Sequence, residues 1–168
     1  AKEANATEQG LQWYLSDTLS AAIGQSYNNF TPIQMARYIS MIANGGHNVD
    51  VSIISSIINP DGSEVPNEEI EKYVKDTIGA ENEVKEDLKI SEENLDAIKR
   101  GMRGVTSEAG GTAASYFSDL DMVIGGKTGS AESSVEGQAH SWFAGFAPYN
   151  NPEIAVAVVV ENGNSGGY

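Results

Sequence analysis

The sequence predicts an α+β fold in which an antiparallel sheet packs against helices. Three observations predict it. Well-capped amphipathic helices begin at Thr31 and Ser91, three strand-like segments follow from Asp121 onward, and the last of these, Ile154 to Val160, is almost continuously apolar. At 168 residues the chain is long enough for one domain with a core and too short for two.

Each element has a local cause. Trp13, Tyr14, Leu15 and Leu19 predict a short segment packed on the body. Thr31-Pro32-Ile33-Gln34 combines an N-cap threonine, proline at the first helical position and glutamine at the third, which is a capping box. Ile33, Ala36, Ile39 and Ala43 recur at helical spacing as the buried face, and Asn44-Gly45-Gly46 ends the helix. Val51 to Ile58 is rich in β-branched residues, and Asn59-Pro60-Asp61-Gly62 predicts a turn back toward Glu64-Val65. Ser91 caps the next helix, with Leu95, Ile98, Met102 and Val105 on one face. Its charges follow the helix dipole: Glu92 and Glu93 in the first turn, then Lys99, Arg100 and Arg103 late. Met122-Val123-Ile124 reads as a strand running into Gly125-Gly126-Lys127. His140 to Ala147 alternates, with Trp142, Ala144 and Phe146 on one face and Phe143 and Gly145 on the other. Pro148-Tyr149-Asn150-Asn151-Pro152 turns the chain into Ile154–Val160, which reads as a strand covered on both faces.

Composition excludes several classes of function. A formal charge of −14 argues against nucleic-acid binding, because the phosphate backbone would be repelled. The absence of cysteine removes thiolate metal sites, a cysteine nucleophile and disulfides. The longest apolar run has seven residues, too few to span a bilayer. Ala1-Lys2-Glu3-Ala4-Asn5 shows no signal-peptide pattern, so the protein is cytosolic or its targeting segment lies outside this chain. Residues 64–93 hold eleven acids against four lysines, a balance of −7. That stretch reads as a solvated helical or loop excursion and lacks the spacing of a calcium loop. His47 and His140 are far apart with no carboxylate at ligand spacing, which reads as structural, so no metal or cofactor is expected. Trp142, Phe143 and Phe146 read as core and sheet-face packing, and no Ser-His-Asp set can be named.

The chemistry concentrates at Gly125-Gly126-Lys127-Thr128-Gly129-Ser130. An ammonium donor, two hydroxyls and open backbone N–H groups at the exposed edge of a sheet can hold a carboxylate and polarise a carbonyl. A phosphate-binding P-loop is excluded, because it needs glycine at position 121, which is Asp, and a helix after Lys-Thr, where Gly129 stands.

In this context the sequence resembles the penicillin-binding proteins, and more narrowly the class B peptidoglycan transpeptidases. Ala22-Ile23-Gly24-Gln25, Thr31-Pro32-Ile33-Gln34-Met35-Ala36 and Ala43-Asn44-Gly45-Gly46 resemble the segment after that family's second motif. Gly125 to Glu132 resembles its Lys-Thr-Gly motif, and His140 to Pro148 with Ile154 to Glu161 resembles its last two sheet strands. The resemblance implies a partial β-lactamase/transpeptidase-like fold and the C-terminal portion of one transpeptidase domain. It implies an enzyme whose serine forms an acyl-enzyme with a stem peptide ending in D-Ala-D-Ala, which a second strand's amine resolves, and which β-lactams trap. Lys127 would supply positive potential and a donor, Thr128 would position its neighbours, and Gly129 would let the substrate backbone approach. Ser130 would bind the terminal carboxylate by its hydroxyl and give its backbone N–H to an oxyanion hole.

The departure is the nucleophile. No serine here has lysine three residues later, so the Ser-x-x-Lys motif is missing and no catalytic residue is expected in this chain. Ser26-Tyr27-Asn28 matches the second motif, Ser-x-Asn, in letters only, since that motif belongs earlier in the chain; Ser26 reads as a loop residue. The helix that usually closes the family's domain is also missing after Gly166-Gly167-Tyr168. The expected partners are therefore the rest of the same domain, or a second copy covering apolar sheet faces, besides stem peptide and β-lactam. The resemblance places the parent on the outer face of a bacterial membrane, anchored by a segment not in this chain. Two alternatives stay open: a non-catalytic scaffold or interaction module, and a fragment of a serine β-lactamase or D,D-carboxypeptidase.

Overall fold

The computed structural model describes residues 13–25, 28–49, 51, 54–78, 86–133 and 135–167. Five helices and three strands occur among them, in the order α1 (Leu15–Ala22), α2 (Pro32–Ala43), α3 (Asn67–Ile78), α4 (Glu92–Ser107), α5 (Ala114–Phe117), β1 (Gly125–Glu132), β2 (Ala139–Ala147) and β3 (Ile154–Val160). The strands form one antiparallel sheet in the order β1-β2-β3. This is the α+β arrangement expected. Ser26 and Tyr27 lie outside the described residues.

The caps hold α2 and α4 where the sequence put them. The Thr31 hydroxyl accepts from Gln34 N–H at 3.3 Å, and the Gln34 side chain accepts from Thr31 N–H at 2.9 Å. Ser91 Oγ accepts from Asn94 N–H at 3.3 Å to start α4. The buried faces agree with those expected at Ile39, Ala43, Leu95 and Met102 and differ elsewhere. Helix α2 buries Ile39, Ile42 and Ala43 while Ile33 is exposed, and α4 buries Leu95, Met102 and Thr106 while Ile98 is exposed.

Residues directly opposite across a ladder share a face of the sheet. Ala144 and Phe146 of β2, paired with Ala157 and Ala155 of β3, meet Ile39, Ile42, Ala43 and Met102 to make the core. On the other face Thr106 approaches Gly126, and Phe143 packs on Phe117 at 5.4 Å between ring centroids. Phe146 stacks on Tyr149, over which Arg103 lies at 5.7 Å.

Several sequence expectations are corrected. Trp13 leads into a helix, but Leu15, Leu19 and Ile23 stay exposed instead of packing on the body. Val51 to Ile58 makes no named strand among its described residues, and its pairing is reduced to one bridge, Ile58 with Glu64, across the Gly62 turn. Met122 to Ile124 are not strand. The carbonyl of Val123 accepts instead from Tyr149 N–H and that of Ile124 from Thr106 Oγ1. Strand β3 is covered on one face only, and Ile154, Val156, Val158 and Val160 point outward, 41–63% exposed. The predicted exposure of an apolar sheet face is therefore found, and the predicted double coverage is not.

The acidic excursion contains α3, whose glutamates face solvent. Its end is clasped back onto the C-terminus of α2. Asp87 accepts from Asn48 N–H at 2.7 Å and from His47 Nδ1 at 3.1 Å, beside a Leu88 N–H to Gly46 O bond of 2.7 Å. The Asn48 backbone bond, then the His47 bond, hold the Asp87 carboxyl below its ordinary 3.8. A depressed carboxyl stabilises the folded clasp above its unfolded value and loses that contribution as pH falls through the lower folded value. Hydrogen exchange over residues 86–90 is therefore expected to accelerate below pH 3.8, beyond the intrinsic pH effect, and Asp87→Ala should abolish that step.

Candidate functional site

The Lys-Thr-Gly motif lies inside β1, not at its end as the sequence suggested. Strand β1 is an edge strand: among the described residues no strand pairs with its other side. An unpaired edge leaves alternate backbone donors and acceptors available to an extended peptide.

Two glycines bring the motif to that edge. A Cβ on Gly125 would sit 2.5 Å from Phe146 Cζ, and one on Gly126 would sit 2.5 Å from Phe143 Cζ. The rings of β2 thus lie directly on the backbone of β1, one from each face. This gives β1 its packing while the strand itself contributes almost no side chain.

Strand alternation then separates the functional groups. Lys127 pairs with Ala144 and takes that face, while Thr128 and Ser130 pair with Phe143 and Ser141 and share the opposite face. Lys127 is exposed and its Nζ donates to Thr128 O at 2.7 Å, which returns the ammonium to the backbone of the same strand. Thr128 Oγ1 lies 2.7 Å from Thr112 Oγ1. Ser130 Oγ accepts from Gly166 N–H at 3.1 Å. A Cβ on Gly129 would meet only Trp142 Cβ at 3.4 Å, ordinary contact, so packing does not demand glycine there. All four sequence-predicted residues are brought together on one strand, with the ammonium and the hydroxyls on opposite faces.

The whole chain, residues 1–168, matches the family model described as the penicillin binding protein transpeptidase domain. The chain belongs to this family. Penicillin-binding protein H of Bacillus subtilis is 36% identical over 151 residues, covering 84% of this chain and 20% of that protein. The peptidoglycan D,D-transpeptidase MrdA of Escherichia coli K12 is 33% identical over 171 residues, covering 92% of this chain and 24% of that protein. Among solved structures, PBP2 of Pseudomonas aeruginosa in complex with WCK 5153 aligns with a TM-score of 0.76 at 33% identity, covering 99% of this chain and 34% of that one. These likenesses are consistent with the C-terminal part of a class B penicillin-binding protein, and the fold is that of the penicillin-binding transpeptidase domains.

Two residues near the strand escaped sequence reasoning. Thr112 sits in a Gly-Gly-Thr-Ala stretch before α5, and Gly166 in a polar glycine-rich segment after β3; both meet β1 only through tertiary contact. Both histidines make contacts with neighbouring segments. His140 Nδ1 accepts from Asn162 N–H at 3.2 Å, and His47 belongs to the Asp87 clasp. Among the described residues no three His, Asp or Glu side chains gather as metal ligands, and no helix is long and apolar enough to cross a membrane.

Proposed function

We propose that this chain supplies the substrate-holding strand of a peptidoglycan D,D-transpeptidase. The carrying observation is the unpaired edge of β1 presenting Lys127, Thr128, Gly129 and Ser130 in sequence. A stem peptide ending in D-Ala-D-Ala, or a β-lactam in its place, lies extended along this edge. Ser130 donates its hydroxyl to the terminal carboxylate, and Lys127 adds positive potential. Gly129 puts no side chain in the ligand's way on the face of Trp142, where packing alone would tolerate a Cβ. Thr128, tied to Thr112, holds the strand's conformation.

The reacting serine and its lysine come from outside this chain, in the rest of the same domain. The serine oxygen attacks the penultimate carbonyl, the Ser130 N–H helps hold the developing oxyanion, and the terminal D-Ala leaves as an amine carrying a proton. A second stem's amine then attacks the ester, forming the cross-link and releasing the serine. In this reading the parent works outside the cytoplasmic membrane, anchored elsewhere in its chain. The outward face of β3, Ile154 to Val160, is covered by the rest of the domain. The names of the relatives, transpeptidases and penicillin-binding proteins, favour this over a hydrolase fragment.

Incubation with fluorescent penicillin tests the division of labour. The full-length protein is expected to take one covalent label, and this chain alone none. A stoichiometric label on the chain alone would place the nucleophile within residues 1–168 and overturn the proposal.

A further inference from the structure

We infer that Gly166 is a positioning residue for Ser130: its backbone N–H fixes the Ser130 hydroxyl as an acceptor and so directs the hydroxyl proton to a ligand carboxylate. The inference rests on the proposed role of Ser130 in carboxylate binding. A serine hydroxyl has one proton and two lone pairs. With Gly166 N–H 3.1 Å from Oγ, one lone pair is used and the proton stays free to be donated.

The path of the segment after β3 shows how that amide is delivered. Asn162 and Asn164 take φ of 54° and 68°, left-handed conformations that asparagine tolerates. They turn the chain back over the face that carries Ser130 and Ser141. Asn162 N–H donates to His140 Nδ1 at 3.2 Å and Asn164 N–H to Ala139 O at 2.9 Å, so the segment is tied twice to β2 before it reaches β1. At Gly166 the backbones are in direct contact. A Cβ there would collide with Gly129 O and lie 2.7 Å from Trp142 O and 2.9 Å from Gly129 N. Any side chain at 166 lifts the segment off the strand and withdraws the amide. Gly167 continues beside Thr112, the partner of Thr128. Both hydroxyl residues on this face of β1 are therefore held from outside the strand, one by a threonine and one by this amide.

The test uses the full-length protein and compares acylation by a β-lactam bearing a free carboxylate with acylation by its methyl ester. Gly166→Ala is expected to slow acylation by the acid about tenfold, the scale of a hydrogen bond to a charged group, with little change for the ester. Ser130→Ala should give the same selective loss, and the double variant no further loss. An unchanged acid-to-ester ratio in Gly166→Ala, or losses that multiply in the double variant, would overturn the inference. If Gly166→Ala fails to fold, hydrogen exchange decides: the amides of residues 161–167 should be protected in the wild type and exchange faster in Ser130→Ala, and equal rates would overturn it. A wild type inert to both compounds would overturn the reading of the strand as well. An active wild type with an unchanged ratio would overturn this inference alone.

Discussion

Phe146→Ala is expected to lower the unfolding free energy by about 3–5 kcal/mol, the range for removing a fully packed phenylalanine. Phe146 is the most deeply buried large side chain among the described residues, 1% exposed, and joins α2, α4 and β2 through Ile39, Ile42 and Met102. Its ring also covers Gly125, which has no side chain to collapse into the space left behind. The cavity therefore opens beneath the start of β1, two residues before Lys127. Urea unfolding followed by tryptophan fluorescence should show a lower midpoint with an unchanged slope. Gly125→Ala gives a second check. In the wild type its Cβ meets the Phe146 ring and should destabilise, whereas in the Phe146→Ala background it should partly refill the cavity. A coupling of the opposite sign would mean that the ring does not lie on Gly125.

Such contacts explain which parts of the fold the sequence carries openly. Thr31 with Gln34, and Ser91 with Asn94, make their bonds within one helical turn, so the starts of α2 and α4 are written locally. The buried faces are only partly so. Helix α2 offers Ile33, Ala36, Ile39, Ile42 and Ala43, more apolar positions than one stripe needs, and the sheet selects Ile39, Ile42 and Ala43. Strand β1 misleads in the other direction. Gly125-Gly126 has poor strand propensity, yet the strand starts there because the Phe146 and Phe143 rings pack on its backbone, while β-branched Val123 and Ile124 spend their carbonyls on Tyr149 and Thr106. For β3 the continuous apolar run reads as two covered faces, but among the described residues nothing covers the outer one.

The candidate site divides in the same way. That Lys127 to Ser130 lie together on one strand was legible, because they are consecutive in a segment that reads as running out of a strand. Thr112 and Gly166 were not, since they reach β1 from sequence separations of 16 and 36. Nor could the motif by itself reveal that Lys127 takes one face of the sheet and Thr128 and Ser130 the other. That follows from the register with β2, in which Lys127 opposes Ala144 and Ser130 opposes Ser141.

This split between core and edge gives the second large effect. Lys127→Met in the full-length protein is expected to slow acylation by β-lactams roughly 10–150-fold, the loss of one hydrogen bond to a charged group, about 1.5–3 kcal/mol. Methionine keeps the apolar stem and removes only the ammonium. The folded state should hardly notice: Lys127 is exposed and its one hydrogen bond is to the neighbouring Thr128 carbonyl, so stability should change by no more than about 0.5 kcal/mol. Phe146→Ala and Lys127→Met thus make opposite demands on the same strand. The first removes the ring packed on the start of β1 and should appear in unfolding. The second leaves the support intact and should appear in acylation kinetics alone. Stopped-flow acylation and urea unfolding on both variants separate the two. A Lys127→Met protein that acylates at the wild-type rate would remove the ammonium from the proposed site, whereas one that loses stability in step with activity would make Lys127 a structural residue of β1.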